Sequence, residues 1–586
     1  MITKMKKYTF LVFHRDYETF LEQLRTLGVV HVTEKASGQA DDKQLHELLQ
    51  KADSLRKTIA NGAPDKLLQE RTNLEQRIAA TQKEAARMQV WGDFSQQRMQ
   101  QLRDAGYQLR FYTCSKKQYQ AEWGIEITTI GSLTYFVQVL KEGETIELPD
   151  ACQEQTLNEK SAADLQKDVE ALNGLLVAQN ARIDLWAKQN IPMLQQQLNE
   201  TLQQIDWQRV HLNTDTLAEG SLKLLEGFCP VDKVEALNTL LEQQHIYYQA
   251  EDPTEEDNTP IKLHNNRFTK MFECLTGMYG WPTYGEFDPT PILAPFFLLF
   301  FALCMGDAGY GILLIIIGQL IAHDKLKIQM FEGLGPIITA LGVGTMVVGF
   351  FLGTFFGMSL PDASWVPQCL KDVMITGQVE VLGTKYEIQM LLALAIGVFH
   401  ICLAMTVKAL CFTKRYGFKQ TASTWGWLLL IVGGIVIAVL MLTHLFSAEV
   451  AEWAFIIVGA ISALGIFIFN TPGRNPLINI GAGLWDTYGM VTGVLSDVLS
   501  YIRLYALGLA GGMLGAAFND LAMSLTGSIG GWIGCVLILI LGHILNLALS
   551  SLGAFVHPLR LSFVEYFKNC GYEGKGTLYQ PFTNKK

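Results

Sequence analysis

The sequence predicts an α-helical membrane protein with eight transmembrane helices and an N-terminal cytoplasmic α+β arm that contains a long coiled-coil hairpin. Charged residues number 71 among the first 285 residues but only 31 among the remaining 301. The second part carries apolar runs long enough to cross a bilayer, and the first carries two polar stretches with apolar residues at helical spacing. We therefore predict two domains, an arm over residues 1–285 and a membrane domain over residues 286–586.

Composition excludes several classes of protein. The formal net charge is -10, and about -9 of it lies in the first part, so phosphate backbones would be repelled and a nucleic-acid binder is disfavoured. The ten cysteines form no C-x-x-C pair and no cluster with histidine, so we expect neither a metal site nor a cofactor. The basic start, residues 1–7, lacks the apolar core of a secretory signal, which favours a cytosolic arm.

Three βαβ-like patches predict α/β globular lobes in the arm. The first combines a strand over 8–13, an amphipathic helix over 16–27 and a strand over 29–32. The other two combine strands 109–113 and 134–140, and strand 222–228 with helix 231–243 and strand 246–248. Alternating apolar residues in the strands and helical periodicity between them favour small mixed sheets covered by helices.

Two long polar stretches, near residues 40–105 and 155–215, predict the coiled coil. Their apolar residues recur at steps of three, four and seven, as in a coiled-coil seam. Because the stretches have similar lengths and a compact patch separates them, we expect an antiparallel hairpin-like stalk with globular lobes at its ends. Two amphipathic helices packed into an ordinary bundle are the alternative.

Seven apolar runs make up the membrane domain. They lie near 292–322, 334–358, 388–412, 425–446, 453–470, 482–518 and 529–567, and the first is a hairpin of two short spans around Gly306-Asp307. About 20 apolar residues cross a ~30 Å hydrocarbon core, which predicts eight spans. The last two runs are longer than an upright span needs, so they are expected to tilt or to protrude.

Loop charges predict the orientation. Basic residues fall at alternate ends of the spans, at Lys325, Lys327, Lys408, Lys414, Arg415, Lys419, Arg474, Lys568, Lys575, Lys585 and Lys586. The other side carries only Lys371 and Lys385 among six acidic residues. Since positive loops stay in the cytoplasm, we expect a multi-pass protein of the cell inner membrane with both termini cytoplasmic.

Arg503 is the candidate functional residue with the strongest physical argument. A cation in the middle of a span costs at least about 2.5–3.5 kcal/mol. On an ideal helix Asp497 lies about 120° around the axis from Arg503, so that helix supplies no partner. Because arginine cannot lose its proton, its counter-charge must come from another helix, another subunit or a transported ion.

Other polar residues of the spans are weaker candidates. Arg560 is a second cation, near the end of the last span, with interfacial anchoring or a salt bridge as the alternative. The carboxylates that could line aqueous pathways are Asp307, Asp486 and Asp497, and the histidines are His543 and His557. A capping role is equally consistent with Asp307, and a satisfied core histidine is the simpler interpretation of His543.

Glycines at intervals of four predict close helix packing. One series is Gly349, Gly353 and Gly357, for which packing within the chain is the simpler interpretation. The other contains the pairs Gly508/Gly512 and Gly511/Gly515, just beyond Arg503, where a smooth surface against a moving partner is equally consistent with the spacing. The sequence contains no phosphate-binding loop, no nucleophile elbow and no His-Glu-x-x-His helix, so we expect no catalysis by this chain alone.

Residues 496–509, which read SDVLSYIRLYALGL, resemble the arginine-bearing helix of the membrane stator subunit of rotary V/A-type ATPases, called subunit a or subunit I. Further similar segments are 226–230, 272–289, 306–311 and 557–561 with Glu565. The resemblance covers essentially the whole chain. Gly511 and Ser550 stand where eukaryotic members have histidine and glutamate, so the chain is more similar to the bacterial or archaeal branch.

This resemblance implies a stator with two ion half-channels that face a ring of proteolipid subunits. Arg503 would face the ion-binding carboxylate of each ring subunit, with Arg560 assisting, and Glu565 joins the candidates for ion translocation. The arm would contact peripheral stalks and the central-stalk adaptor, and H⁺ or Na⁺ movement would be coupled to ATP hydrolysis or synthesis in other subunits. The alternatives are a secondary ion transporter with a regulatory arm and a membrane-tethered scaffold.

Overall fold

The computed structural model describes residues 2–33, 42–92, 96–120, 122–141, 148–149, 152–157, 160–217, 220–254, 257–323, 333–364, 366–381, 384–443, 445–468, 476–527 and 529–584. Its contacts divide the chain into two compact units. One unit comprises Met1–Thr33 and Thr216–Thr583, and the other comprises Glu34–Asp215 and Asn584–Lys586. The predicted domain boundary after residue 285 stays a prediction.

The described elements are predominantly helical. The strands are β1 Met5–Phe13, β2 His31–Val32, β3 Tyr107–Ser115, β4 Ile125–Ile130, β5 Leu133–Lys141, β6 Gln153–Gln155, β7 Asp215–Leu217, β8 Leu222–Pro230, β9 Tyr247–Glu251, β10 Thr354–Phe355, β11 Met358–Ser359, β12 Gln378–Val381 and β13 Thr384–Glu387. The helices are α1 Tyr17–Leu27, α2 Lys43–Asn61, α3 Asp65–Gln89, α4 Gln96–Asp104, α5 Ala162–Leu212, α6 Val234–Gln243, α7 Arg267–Met271, α8 Glu273–Tyr279, α9 Thr290–Met305, α10 Ala308–Ala322, α11 Gly335–Leu352, α12 Gln368–Lys371, α13 Ile388–Tyr416, α14 Ala422–Leu442, α15 Ala448–Ala463, α16 Pro476–Ser500, α17 Ile502–Ser524, α18 Ile529–Arg560 and α19 Phe567–Cys570. A 3₁₀ turn occupies Val231–Lys233, and π-helical turns occupy Leu464–Ile468 and Leu561–Tyr566.

The first unit begins with the N-terminal lobe, in which α1 and α6 accompany a sheet of order β2-β8-β1-β9. β1 is antiparallel to both β8 and β9. Tyr8, Phe10 and Val12 alternate along β1 and are buried, and Phe10 packs on Phe20 of α1 with ring centroids 5.5 Å apart. This period of two fixes the core face of the strand. The predicted α+β character of the N-terminal region is confirmed.

The C-terminal tail, residues 571–584, returns to the N-terminal lobe. Leu578 forms a parallel bridge with Ile261, and the amide of Phe582 donates to the carbonyl of Val30 at 2.8 Å. Gly576 forms an antiparallel bridge with Trp281, and a Cβ at Gly576 would collide with the carbonyl of Pro282. The tail therefore joins the end of the membrane helices to the first residues of the chain.

The second unit contains a helical stalk and a small sheet. α5 packs against both α2 and α3. Hydrogen bonds pair Gln208 with Asp42, Gln179 with Glu70, and Arg87 with Thr156. Because these partners run in opposite directions along the sequence, α5 is antiparallel to α2 and α3. The sheet has the order β4-β5-β3-β6. Whether the stalk is a supercoiled coiled coil stays a prediction.

Six helices of the described chain are long and apolar enough to span a membrane. They are Gly335–Leu352, Ile388–Tyr416, Ala422–Met441, Ala448–Phe467, Asn479–Ser524 and Gly531–Cys570. The last two contain 46 and 40 residues, about 69 and 60 Å at 1.5 Å per residue, which exceeds an upright span. α9 and α10 are apolar but contain only 16 and 15 residues, so the count of eight spans stays a prediction. The basic residues at 325, 327, 474, 585 and 586 lie outside the described residues.

The tail generates a test of packing. We expect Gly576→Ala to lower the thermal midpoint of the purified protein, because the added methyl group would push the tail away from Pro282 and overpacking typically costs about 1–3 kcal/mol. Gly434→Ala is the matched control, since a Cβ there meets nothing within 4 Å. Thermal unfolding in one detergent compares both variants, and equal midpoints would contradict the close approach.

Candidate functional site

A break in the helix ladder lies two residues before Arg503. α16 ends at Ser500 and α17 begins at Ile502. The amide of Tyr501 donates to the carbonyl of Val498 at 3.1 Å, and the amide of Leu504 donates to the carbonyl of Tyr501 at 3.0 Å. Both bonds span three residues rather than four, which tightens the helix locally. Arg503 therefore occupies the first turn after the break.

Tyr501 holds this break against neighbouring helices. Its side chain is fully buried, and a Cβ at Gly397 of α13 would collide with its ring. One turn further along α13, His400 Nδ1 and the Tyr501 hydroxyl form a 2.8 Å hydrogen bond. The His400 ring stacks on Tyr566 with centroids 4.6 Å apart. α13 and the π-helical turn after α18 thus restrain the start of α17.

The Arg503 guanidinium is partly buried and forms no ion pair with the described residues. Among the described residues, its Nη1 is buried without a hydrogen-bond partner, and no carboxylate lies within salt-bridge distance. Cys304 of α9 and His557 of α18 both lie within its electrostatic range. Its own helix offers no acid on the same face, so within the described part of the chain no acid on α17 balances this charge.

Glu565 and Arg560 lie together on the N-terminal side of the break. Ser500 Oγ donates to Glu565 Oε1 at 2.7 Å, and Arg560 Nε is 3.9 Å from the same oxygen. The Glu565 side chain is only 4% exposed, whereas that of Arg560 is 55% exposed. Within the described residues Glu565 Oε2 is buried without a partner. The structure therefore brings two predicted site residues, Arg560 and Glu565, together at a carboxylate that has one oxygen without a hydrogen-bond partner among the described residues.

Asp497 makes strong contacts with the end of the chain. Its Oδ2 accepts a 2.8 Å hydrogen bond from Asn569 and lies 3.7 Å from Lys568 Nζ. These contacts tie α16 to α19. Asp486 lies on an exposed part of α16, about four turns before the break. Their predicted parts in ion translocation stay predictions.

His557 lies close to both cations. It is partly buried on α18, one residue before Pro558 and within electrostatic range of Arg503 and Arg560. In the described part of the chain its Nδ1 is buried without a hydrogen-bond partner. The imidazole is thus placed beside the predicted site residues, and its predicted part in ion movement stays a prediction.

A cavity of about 230 Å³ lies on the C-terminal side of the break. Its wall includes Gly508 and Gly512 of α17, Gly306 after α9, Thr354 of the β10–β11 hairpin and Gln389 of α13. The rest of the wall is mainly apolar. α17 therefore passes from the carboxylate region around Glu565, through Arg503, to a largely apolar cavity that contains a few polar groups.

Three of the four predicted ring-facing glycines have neighbours inside the chain. A Cβ at Gly508 would lie 2.6 Å from the Leu303 carbonyl, one at Gly511 3.0 Å from Ser550 Oγ, and one at Gly515 3.1 Å from Gly357 Cα. A Cβ at Gly512 meets nothing within 4 Å. The close packing against a ring predicted for Gly508, Gly511, Gly512 and Gly515 stays a prediction, and Gly512 has the most open surroundings.

A chain of hydrogen bonds beside α17 includes residues that sequence reasoning missed. Ser550 Oγ donates to Asn546 Oδ1 at 3.1 Å, and Asn546 Nδ2 donates to the Tyr310 hydroxyl at 2.8 Å. The Tyr310 hydroxyl is 2.7 Å from His543 Nδ1, and His543 Nε2 is 3.0 Å from Asn519 Oδ1. On α18 the three members 543, 546 and 550 recur at steps of three and four, which is the signal that could have identified them.

Each hydrogen bond in this polar chain is donated in the same direction, from Ser550 towards Asn519. Asn519 Nδ2 donates to the Phe356 carbonyl, so its Oδ1 accepts from His543 Nε2–H. Asn546 donates to Tyr310, which leaves the Tyr310 hydroxyl hydrogen for His543 Nδ1. Every partner is satisfied by a neutral imidazole with its hydrogen on Nε2. The polar chain therefore joins α10, α17 and α18 around His543.

Asp307 is a buried backbone cap. Its Oδ1 accepts from the amides of Gly309, Tyr310 and Phe356, and its Oδ2 accepts from the amide of Gly357 at 2.7 Å. The side chain thereby caps the N-terminus of α10 and fixes the turn of the β10–β11 hairpin. The geometry matches the capping alternative for this residue.

This arrangement combines a fixed cation with two polar regions along one helix. The region before the break contains an incompletely satisfied carboxylate, and the region after it contains a cavity beside a hydrogen-bonded chain. Among the described residues, no three His, Cys, Asp or Glu side chains group closely enough to hold a metal ion. A guanidinium in this position can bind and orient an anionic group.

Comparison with known proteins provides further findings. The model of the V-type ATPase 116kDa subunit family matches residues 132–360 and 485–584, more than half of the chain. V-type ATP synthase subunit I 1 of Treponema pallidum is 27% identical over the full length of both chains. V-type ATP synthase subunit I of Borreliella burgdorferi is 26% identical, again over both full lengths. A-type ATP synthase subunit I of Pyrococcus horikoshii is 34% identical over 58% of this chain and 50% of its own.

The Asp307 cap leads to a test of stability. We expect Asp307→Asn to destabilise the fold by about 2–3 kcal/mol, because the new amide group would place donors against backbone amides that now donate to a carboxylate. Asp520→Asn, at an exposed carboxylate on α17, is the control. The measurement is the thermal midpoint of each purified variant. Identical midpoints for both would show that the carboxylate charge at 307 is dispensable.

Proposed function

Since this chain belongs to the V-type ATPase 116kDa subunit family and is a subunit of a rotary ATPase, we propose that it is the stator that guides ions past a rotating proteolipid ring. The stator forms two half-channels, moves H⁺ or Na⁺, and leaves ATP hydrolysis or synthesis to other subunits. One observation carries the proposal. Arg503 is a partly buried cation on a restrained helix, and its Nη1 has no partner among the described residues.

The Arg503 charge supplies the chemistry. A cation near a ring carboxylate favours the ionised form and lowers the carboxylate pKa. At a separation of 4 Å and an effective dielectric constant near 20, the interaction is about 4 kcal/mol, equivalent to about three pKa units. A loaded ring site that approaches Arg503 therefore releases its ion, and a site that leaves Arg503 binds another.

The two polar regions support two separate half-channels. The first half-channel lies before the break and is formed by Glu565, Ser500 and Arg560. Glu565 holds an ion there through Oε2, which has no hydrogen-bond partner among the described residues. The second half-channel consists of the cavity beside Gly512 and the polar chain around His543. Because Arg503 lies between these regions, an ion passes from one to the other on the ring. Ion movement is thereby coupled to rotation.

The termini support the proposed orientation. Residues 571–583 pack on the N-terminal lobe within one compact unit, which supports a common side of the membrane for both. Basic residues at the end of α13 and in the tail favour the cytoplasm as this side. In the cell inner membrane, the arm reaches the peripheral stalks and the central-stalk adaptor there.

Arg503→Ala tests the charge. We expect this variant to abolish ATP-driven ion transport while the complex still assembles, because a ring carboxylate would no longer be ionised between the half-channels. Arg415→Ala, at the last turn of α13, removes a cation away from the break and serves as the control. Ion uptake into proteoliposomes is the measurement. Normal uptake by the Arg503 variant would exclude the stator proposal and favour a scaffold.

Glu565→Gln tests the first half-channel. We expect the amide to keep the contact with Ser500 but to reduce ion flux roughly tenfold or more, because it does not bind a cation or a proton as a carboxylate does. Glu573→Gln, at an exposed carboxylate of the tail, is the control. Flux per assembled complex is the readout, and an unchanged flux for Glu565→Gln removes this residue from the pathway.

A further inference from the structure

We propose that Cys114 and Cys152 form a reversible disulfide, a redox modification site in the β3–β6 lobe, which comprises strands β3, β4, β5 and β6. Each cysteine is a free thiol in the structure. The proposed site lies outside the membrane helices and is independent of the ion pathway proposed above.

Strand register places the two cysteines opposite each other. β3 and β6 are antiparallel, and Tyr112 pairs with Glu154 while Thr113 pairs with Gln153. Cys152 directly precedes β6, and continuing this register by one step would set it opposite Cys114. Directly opposite residues of antiparallel strands have Cα atoms about 4.5–5.5 Å apart and side chains on the same face. A disulfide needs a Cα separation of about 4.4–6.8 Å, so a continued register would give a spacing that a disulfide can bridge.

The side chains also meet. Cys114 and Cys152 belong to one apolar cluster with Tyr112 and Phe136, and the two thiols lie within electrostatic range of each other. Cys114 is 1% exposed, whereas Cys152 is partly exposed. An oxidant therefore reaches Cys152 first, and Cys114 is the thiol that resolves the intermediate.

Exposure decides the order of reaction. Burial raises the pKa of both thiols. The thiolate is the nucleophile in thiol–disulfide exchange, and Cys152 is the thiol that solvent reaches, so Cys152 reacts first.

The reaction needs a small disulfide as the oxidant. The Cys152 thiolate attacks one sulfur of the small disulfide, forming a mixed disulfide and releasing one small thiolate. Cys114 then loses its proton and attacks the Cys152 sulfur, which releases the second small thiolate. The two protein thiols lose two electrons and two protons, and the small disulfide becomes two thiols. The new bond joins β6 to β3 and encloses β4 and β5, which restrains the lobe.

Mass spectrometry of the full chain in its complex tests the proposal. After incubation with oxidised glutathione, we expect a peptide pair joined through Cys114 and Cys152 that dithiothreitol separates. The exposed Cys274 and Cys369 are internal controls and should carry single glutathione adducts. Free thiols at 114 and 152 when both controls are fully modified would overturn the proposal, and so would a stable glutathione adduct at Cys152 in the unaltered chain.

Two conservative variants test the order of attack. Cys114→Ser should trap glutathione on Cys152, because the resolving thiol is gone. Cys152→Ser should leave Cys114 unmodified, since Cys114 is buried. The reverse pattern would contradict the assigned roles. Because the linked peptide is sought in the unaltered protein, the proposal stays testable even where a variant folds poorly.

Discussion

A guanidinium among apolar helices is the constraint on which this structure depends. Arginine keeps its charge at every physiological pH, so the surrounding protein must restrain it and leave it a partner. Here the restraint comes from outside its own helix. Tyr501 interrupts the helix two residues earlier, and His400 and Gly397 of α13 hold that tyrosine in place. Among the described residues, Arg503 Nη1 has no hydrogen-bond partner, which is compatible with the proposed contact with a ring carboxylate.

Polar groups elsewhere in the membrane region are mostly used to fix backbone. The Asp307 carboxylate accepts four backbone amides and so holds the α9–α10 connection to the β10–β11 hairpin. That hairpin in turn approaches α17 through Gly357 and Gly515. Satisfied backbone groups and close glycine contacts make a stiff wall against the part of α17 that contains Gly515. In the proposed stator, a stiff wall would keep the ion path from deforming under torque from the ring.

Local sequence patterns predicted the family, the α+β region and the apolar helices, and all three are confirmed. They also singled out Arg503, Arg560, Glu565 and Asp497, whose predicted roles remain to be tested. Spacing could not show that Glu565 shares a hydrogen bond with Ser500, or that Asp497 contacts Lys568 and Asn569, since these partners lie 65 to 72 residues apart. The proposed pairing of Cys114 with Cys152 could not be predicted from spacing for the same reason. Periodicity reports which face of an element is apolar, whereas long-range contacts depend on how elements are arranged.

The C-terminal tail sets an order for biosynthesis. Met5 pairs with Pro230, and Val30 accepts a hydrogen bond from Phe582. A ribosome makes β1 long before its partners β8 and β9, and the tail that contacts Val30 emerges only after the membrane helices described above. The N-terminal lobe is therefore completed late, although its first strand is made early. A nascent chain that has not yet reached β8 would leave both edges of β1 open to pairing with other strands.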